Sequence, residues 1–417
     1  MDLENTLKEL KIDDSFYDFM SLGWKDSSSC IPKVIDFLEP KNIQENMRWC
    51  DVPDEYFSDL NKATLMIKAS PAFAAVAWHC HRQLYSDRRI ECFADWPVCE
   101  PFPVLYLLVA LAMVPLVRKK HYEMGVKEEV TRDTCFQVKC FCENHLRAFK
   151  SPGIIAKQLP WFRHYVDGRL FRLGRMEYRM EKVKGFGKVF ENKETGEVIA
   201  FCLPGVRYSR KGFVDSTARA YIENDVWESV FRETKDFVKG NPVSPYGYAM
   251  EKEIELSLEQ WKCVIEEGDF FLDMHIPSGG GMTLDLCIDS MRKAVEFCDK
   301  YFPEQETKAI MCRSWIFNTQ FEKQMPDSNL AGFMRELYLF PIQSTARDGF
   351  FFVFGREFDD LSQAPRATSL QCAMLDILAR EPLRTGGMFI LKQDLKYFGS
   401  QHYRKQADAN SLFSRMD

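Results

Sequence analysis

The sequence predicts an α+β protein: a helical N-terminal domain over residues 1–152, then a mixed β-sheet core flanked by helices over residues 153–417. Three observations carry this reading. Up to about Lys150 the apolar residues recur at helical spacing and no strand-like alternation interrupts them. From Arg169 the period changes to two, and from Phe270 onward strand-like and helix-like segments alternate.

In the first part, Ser70 to Tyr85 is rich in alanine and large apolar residues, and Arg132 to Phe149 spaces its apolar positions between charges. Phe102 to Val117 is the most apolar run, contains Pro103 and Pro115, and is shorter than the about 20 residues that span a bilayer, so it is expected to be a buried core helix. Ser151-Pro152-Gly153 suits the loop that ends this domain.

Arg169 to Val183 is expected to be one half-buried strand, with Leu170, Met176, Tyr178 and Met180 on one face and Arg175, Glu177, Arg179 and Glu181 on the other. Residues 188–190 and 197–202 flank the polar turn Asn192 to Gly196 as an antiparallel hairpin. Residues 205–248 are polar and broken by Pro242, Pro245 and glycines, which predicts an irregular surface excursion. Glu253 to Leu256 restores order, and Ser257-Leu-Glu-Gln260 fits a capping box opening a short helix through Trp261 that stops at Gly268. Phe270 to Ile276 and Ala309 to Ile316 are buried strands separated by a helix over Thr283 to Phe302, with Leu284, Cys287, Ile288, Met291, Val295 and Cys298 on one face. Gln320 to Leu337 is mainly helical, Tyr338 to Pro341 and Gly349 to Phe354 supply two further strands, and Thr368 to Arg380 is a terminal amphipathic helix. The expected order is β-α-β-α-β-β.

The composition narrows the function. With 46% hydrophobic and 28% charged residues the chain is globular, and 55 basic against 61 acidic residues give a net charge of −6, so no general electrostatic case exists for nucleic acid or an anionic membrane as partner. The start, Met1 to Asn5, lacks a basic and apolar leader, and 14 cysteines without one read as reduced thiols, which points to the cytoplasm. Cys140-Phe-Cys142 and His79-Cys80-His81 bring ligating atoms close, yet neither has a matching second pair, so no metal is expected.

The chemistry is expected where a strand ending at Ile276 runs through Pro277-Ser278-Gly279-Gly280-Gly281-Met282 into a helix started by Thr283. Glycines let backbone approach a ligand, and the first N–H groups of a helix attract phosphate, although Asp285 in the first turn opposes an anion. A β-to-α turn in which glycine serves geometry alone has the same residues. The antiparallel strands from residue 169 followed by β-loop-α-β-α-β-β resemble the GNAT acyltransferase core, in which the loop after the fourth strand holds the pyrophosphate of coenzyme A. His275-Ile-Pro-Ser-Gly279, Ser290 and Ala294, Ser314-Trp315, Pro326-Asp-Ser-Asn329 and Gly168 to Arg175 together resemble a bacterial acyltransferase-like family. That family pairs a helical N-acyltransferase N-terminal domain with a GNAT-like C-terminal domain. The GNAT loop carries Arg or Gln three positions before its first glycine, where this chain has Ile276.

The resemblance implies transfer of an acyl group from acyl-coenzyme A, as cosubstrate, to an unknown amine, with no tightly bound cofactor. The alternative is a non-catalytic GNAT-like protein that binds a small molecule or acyl-coenzyme A. Ile276, Ser278, Gly279, Gly280, Gly281, Met282, Thr283 and Ser314 would hold the cosubstrate. Acyl transfer also needs a base for the ammonium proton and an acid for the thiolate. His275 is one candidate base against a structural, hydrogen-bonded histidine, Glu177 a second against a solvated charge, and Tyr338 the candidate acid against a core tyrosine. Arg172, Arg175 and Arg313 stand in apolar strands and could meet phosphate or form salt bridges; Cys312 sits among apolar residues that suggest an inert, buried thiol.

Overall fold

A computed structural model describes residues 2–86, 96–97, 101–215 and 225–410. They form two compact units, one of residues 1–173 with 277–279, the other of 174–276 with 280–417.

Eleven α-helices build the first unit among the described residues: α1 Leu3–Leu10, α2 Tyr17–Ser21, α3 Trp24–Ser29, α4 Pro40–Trp49, α5 Phe57–Ala69, α6 Pro71–Tyr85, α7 Phe102–Leu111, α8 Met113–Glu123, α9 Glu128–Cys135, α10 Gln137–Phe149 and α11 Phe162–Val166. α6 starts where expected because the Ser70 hydroxyl caps the Phe73 N–H (3.1 Å) and Pro71 occupies the first helical position. The helical segment extends past the apolar run: α7 and α8 give 22 residues from Phe102 to Glu123, enough by length and composition to cross a membrane. In α7 every residue from Leu105 to Leu111 is at most 1% exposed, because this helix is apolar all round and forms the centre of the unit. The strand β1, Leu170–Leu173, closes the unit by packing against α9, with the Arg172 N–H on the Thr134 hydroxyl (3.2 Å).

In the second unit the segment expected to be one strand breaks at Gly174, whose φ of +76° turns the chain, and β2 begins at Met176 (Met176–Lys182). The hairpin is as expected: β3, Val189–Asn192, pairs antiparallel with β4, Val198–Phe201. The described part of 205–248 is not irregular but carries short strands: β5 Arg207–Ser209, β6 Val226–Glu228, β7 Phe231–Glu233, β8 Phe237–Gly240, β9 Pro242–Ser244 and β10 Tyr248–Ala249. β11, Ile254–Ser257, follows, and the expected helix after it is the strand β12, Trp261–Ile265. Its aromatic and branched residues pair with β3, and Ser257 to Gln260 forms a tight turn rather than a helix start. β12, β3, β4, β9 and β10 make one sheet, whose Phe190, Ile199, Phe201 and Trp261 form a second core with Val238, Ile254 and Leu256.

The large sheet of this unit orders β2, β13 (Phe270–His275), β14 (Thr307–Ser314), β16 (Leu383–Leu391) and β15 (Tyr338–Ala346). Only β13 and β14 are parallel; the other neighbours are antiparallel. α12 (Leu284–Tyr301) joins those two strands, and α13 (Thr319–Gln324), α14 (Asn329–Arg335), α15 (Phe350–Phe354), α16 (Ser369–Leu378) and α17 (His402–Ala409) follow. The expected strand at Gly349 to Phe354 is helical, set between the left-handed Gly349 (φ +84°) and Gly355 (φ +77°). The amphipathic helix α16 is not terminal, since the fully buried β16 comes after it.

Candidate functional site

The sheet opens between β13 and β14. Their ladder runs from Phe270↔Thr307 to Asp273↔Met311 and stops, while β13 continues paired with β2 to His275↔Glu177 and β14 continues paired with β16 to Ser314↔Gly386. Met274 and His275 on one strand and Cys312, Arg313 and Ser314 on the other therefore border a wedge in which each strand keeps only its outer partner.

α12 lies against one face of this wedge. The Ser290 hydroxyl receives the Met176 N–H at 3.0 Å and lies 3.1 Å from the Tyr178 hydroxyl. Residues paired across a ladder share a face, so Met274, opposite Tyr178, points toward α12. The buried face of α12 is turned from expectation: Ser290 and Ala294 are fully buried beside Cys287 and Met291, where Ile288 and Val295 were expected. Small residues there let helix and sheet approach closely.

The opposite face carries the acid–base groups. Glu177 and His275 are register partners, and Arg179 pairs with Asp273 beside them. Glu177 is 1% exposed, which removes the solvated-charge reading. His275 Nε2 lies 3.0 Å from Asp273 Oδ2, and Arg179 donates to the same oxygen from Nε at 2.9 Å. Burial pushes the Asp273 carboxyl up, but the His275 hydrogen bond and the charges of His275 and Arg179 outweigh it and hold the group below its usual value. Asp273 and Arg179 were not singled out in the sequence, yet Asp273 stands two positions before His275 in an apolar strand, the spacing that shares a face.

Other expected residues fall elsewhere. Tyr338 shares this face through the row Asp273↔Met311↔Phe389↔Tyr338, but three strand spacings of about 4.8 Å separate it from Asp273. Its hydroxyl donates to the Val243 carbonyl (2.5 Å) and accepts the Ala200 N–H (3.2 Å), its ring stacks on Phe389, and burial raises its pKa. The acid role is thus corrected to a core tie between β15 and the strands β4 and β9. The Ser314 hydroxyl accepts the Ile316 N–H at 3.4 Å. Cys312 is buried and its thiol pKa is raised well above normal by burial, so it is no nucleophile. Arg313 donates to the carbonyls of Lys184 (2.9 Å) and Gly185 (3.1 Å), and Arg172 stacks over Phe136.

The glycine loop emerges from the C-terminal end of β13. Gly279 (φ +81°) and Gly280 (φ +70°) adopt the left-handed conformation, and Arg175 Nε holds the Gly281 carbonyl at 2.8 Å. The Thr283 side chain does not cap α12. Ile276 supplies no cation here, but Arg175 stands against Gly280, where an added Cβ would lie 3.2 Å from its Nε. Among the described residues no group of three or more His, Cys, Asp or Glu side chains is placed to hold a metal.

Residues 170–388 match the family described as the GNAT-like C-terminal domain, and residues 41–168 match the N-acyltransferase N-terminal domain. The chain belongs to this acyltransferase family. No curated protein is detectably similar in sequence. Three crystal structures share the fold: an acyltransferase mutant with octanoyl-CoA (TM-score 0.61), an acyltransferase with decanoyl-CoA and teicoplanin (0.62), and one with CoA and 10C-teicoplanin (0.63). Each is 17% identical and the match covers 94% of this chain and 99% of the other.

Proposed function

We propose that this family member is an acyl-CoA-dependent N-acyltransferase that moves an acyl group from coenzyme A thioester to an amine. The observation that carries the reading is the parting of β13 and β14 after Asp273↔Met311, which offers a thioester arm unpaired backbone on both sides. The glycine loop and the start of α12 lie at the end of β13, where backbone N–H groups suit a pyrophosphate. The structural relatives, solved in complex with octanoyl-CoA and with decanoyl-CoA and teicoplanin, support this choice of cosubstrate and of an amine on a larger molecule.

The residues then take these roles. His275, whose Nε2 lies 3.0 Å from the Asp273 carboxylate, is the base that takes the ammonium proton of the acceptor. The freed amine attacks the thioester carbonyl, whose oxygen is stabilised by a backbone N–H that β13 turns into the wedge beyond Asp273. As the tetrahedral adduct collapses, the carbon–sulfur bond breaks, the imidazolium returns its proton to the departing thiolate, and the nitrogen releases its second proton to solvent, leaving a neutral amide. Glu177, opposite His275 and buried, faces the acceptor side and favours a cationic amine there.

The test pairs binding with turnover. Acetyl-, octanoyl- and decanoyl-CoA are titrated by thermal shift, then incubated with a panel of amines, including amine-bearing glycopeptides, while free thiol and acylated product are measured. Stabilisation by at least one thioester together with product is expected. No stabilisation at millimolar thioester overturns the reading.

A further inference from the structure

We propose that Arg175 is a positioning residue for the phosphate-bearing end of coenzyme A: by holding the Gly281 carbonyl it fixes the Gly281–Met282 peptide with its N–H turned to the pyrophosphate, and so makes phosphate count in the choice of thioester. The proposal rests on the acyl-transfer reading above and names the side chain that shapes its loop.

The base of Arg175 is fixed before any ligand arrives. Gly174 turns the chain at φ +76°, and an added Cβ there would lie 3.5 Å from the Ser290 α-carbon, so this turn runs against α12. On the other side of Arg175 the Met176 N–H is held by the Ser290 hydroxyl at 3.0 Å. A residue packed on the helix through one neighbour and bonded to it through the other starts its side chain from a set place.

From that base the side chain reaches a segment 106 positions away in the sequence. Nε donates to the Gly281 carbonyl at 2.8 Å, and the stem lies along Gly280, where an added Cβ would stand 3.2 Å from Nε and 3.4 Å from Cδ. Glycine at 280 is what lets the guanidinium come this close.

The bond has a geometric consequence. A trans peptide is planar, with C=O and N–H pointing in opposite directions, so a carbonyl held on Arg175 turns the Met282 N–H away from the guanidinium. Met282 leads through Thr283 into α12, and the first N–H groups of a helix have no intrahelical partner and favour an anion. Gly280 and Gly281 carry no side chain to resist rotation of this peptide. A flipped peptide would aim its carbonyl oxygen at the phosphate and repel it; the clasp prevents the flip.

Charge works in the same direction. Burial pushes the Cys287 thiol up to about 12 and the Arg175 charge pulls it the other way, so the field of the guanidinium reaches the first turn of α12. Asp289, beside Gly174, is engaged by Lys293 at 2.8 Å, and Asp285 is exposed, where water screens it.

Coenzyme A, 3′-dephospho-coenzyme A and pantetheine carry the diphosphate with the 3′-phosphate, the diphosphate alone, and no phosphate; each is titrated into the full chain by isothermal calorimetry. The native protein is expected to bind both nucleotides at least about tenfold more tightly than pantetheine. Arg175→Met, which keeps an unbranched stem and removes the donor, should weaken both nucleotides about tenfold and leave pantetheine unchanged. Arg175→Lys, which restores a donor and the charge, should recover part of that loss. Weakening of pantetheine along with the nucleotides makes Arg175 a tie of the fold and overturns the proposal. A loss confined to coenzyme A assigns Arg175 to the 3′-phosphate and overturns it too, as does failure of lysine to recover any of the loss. An Arg175→Met protein with the native preference sinks the role of Arg175 alone, whereas a native protein that binds coenzyme A no better than pantetheine sinks the pyrophosphate loop and the proposal with it.

Discussion

His275 owes its proposed role to its neighbours. Asp273, two residues earlier on the same face, lies 3.0 Å from one ring nitrogen, and Arg179 on the adjacent strand holds the carboxylate. His275→Gln is expected to lower kcat by roughly 10²–10⁴, the span of a lost general base, in a steady-state assay with saturating thioester. The Asp273 carboxyl sits below its usual value, so the stability it contributes is present above that value and is lost as pH falls through the lowered one. Asp273→Asn should flatten this acidic loss in denaturation curves taken at successive pH values. Tyr338→Phe, by contrast, removes the tie to Val243 and Ala200 and should cost about 1–3 kcal/mol of stability while turnover per folded molecule is retained. Sequence spacing put His275 and Glu177 on strands, but only the register shows that they are opposite each other. Tyr338 has the chemistry of an acid in any sequence; its two backbone partners come from strands about a hundred residues or more away and leave no local trace.

Among the elements, those with a clean period were legible: α6, α12, the β3–β4 hairpin, β13 and β14 all lie where apolar spacing puts them. The misread elements each carry a second signal that competes with the period. Ser257 to Gln260 has the residues of a capping box, but Trp261 to Ile265 finds a strand partner in β3, and pairing outweighs a local cap. Gly349 and Gly355 enclose five residues in left-handed stops, which closes a helical turn on an aromatic run that otherwise suits a strand. β16 stayed hidden because Gly386-Gly387 reads as a break. Both glycines are there for close approach: an added Cβ would lie 2.2 Å from the Phe317 carbonyl oxygen at Gly386 and 2.3 Å from the Phe340 ring at Gly387. Gly386→Ala is expected to destabilise by more than about 2 kcal/mol, measured as a lower urea midpoint, because the obstructing atom is backbone and cannot rotate away.

At the scale of the whole molecule, the two units should respond differently to acid. His79, His81 and His121 in the helical unit are held uncharged, their pKa values pushed down to about 4 by burial. The unfolded chain takes up protons near pH 6.5 and the folded one only near 4, so stability falls as pH drops through that window, by up to about 3 kcal/mol for each histidine. Hydrogen exchange from pH 7 to 4.5 should show protection lost from the Phe102 to Glu123 core before it is lost from β14 and β16. Uniform loss in both would refute the assignment of this sensitivity to the helical unit.

The position of β16 has a consequence for how the protein is made. β14 gains its second neighbour only from residues 383–391, and β15 pairs with β16 rather than with β14. During synthesis the flank of β14 that faces away from β13 stays bare until residues 383–391 have left the ribosome. A nascent chain stalled before residue 383 would present a long apolar edge to other chains, the kind of surface that chaperones shield.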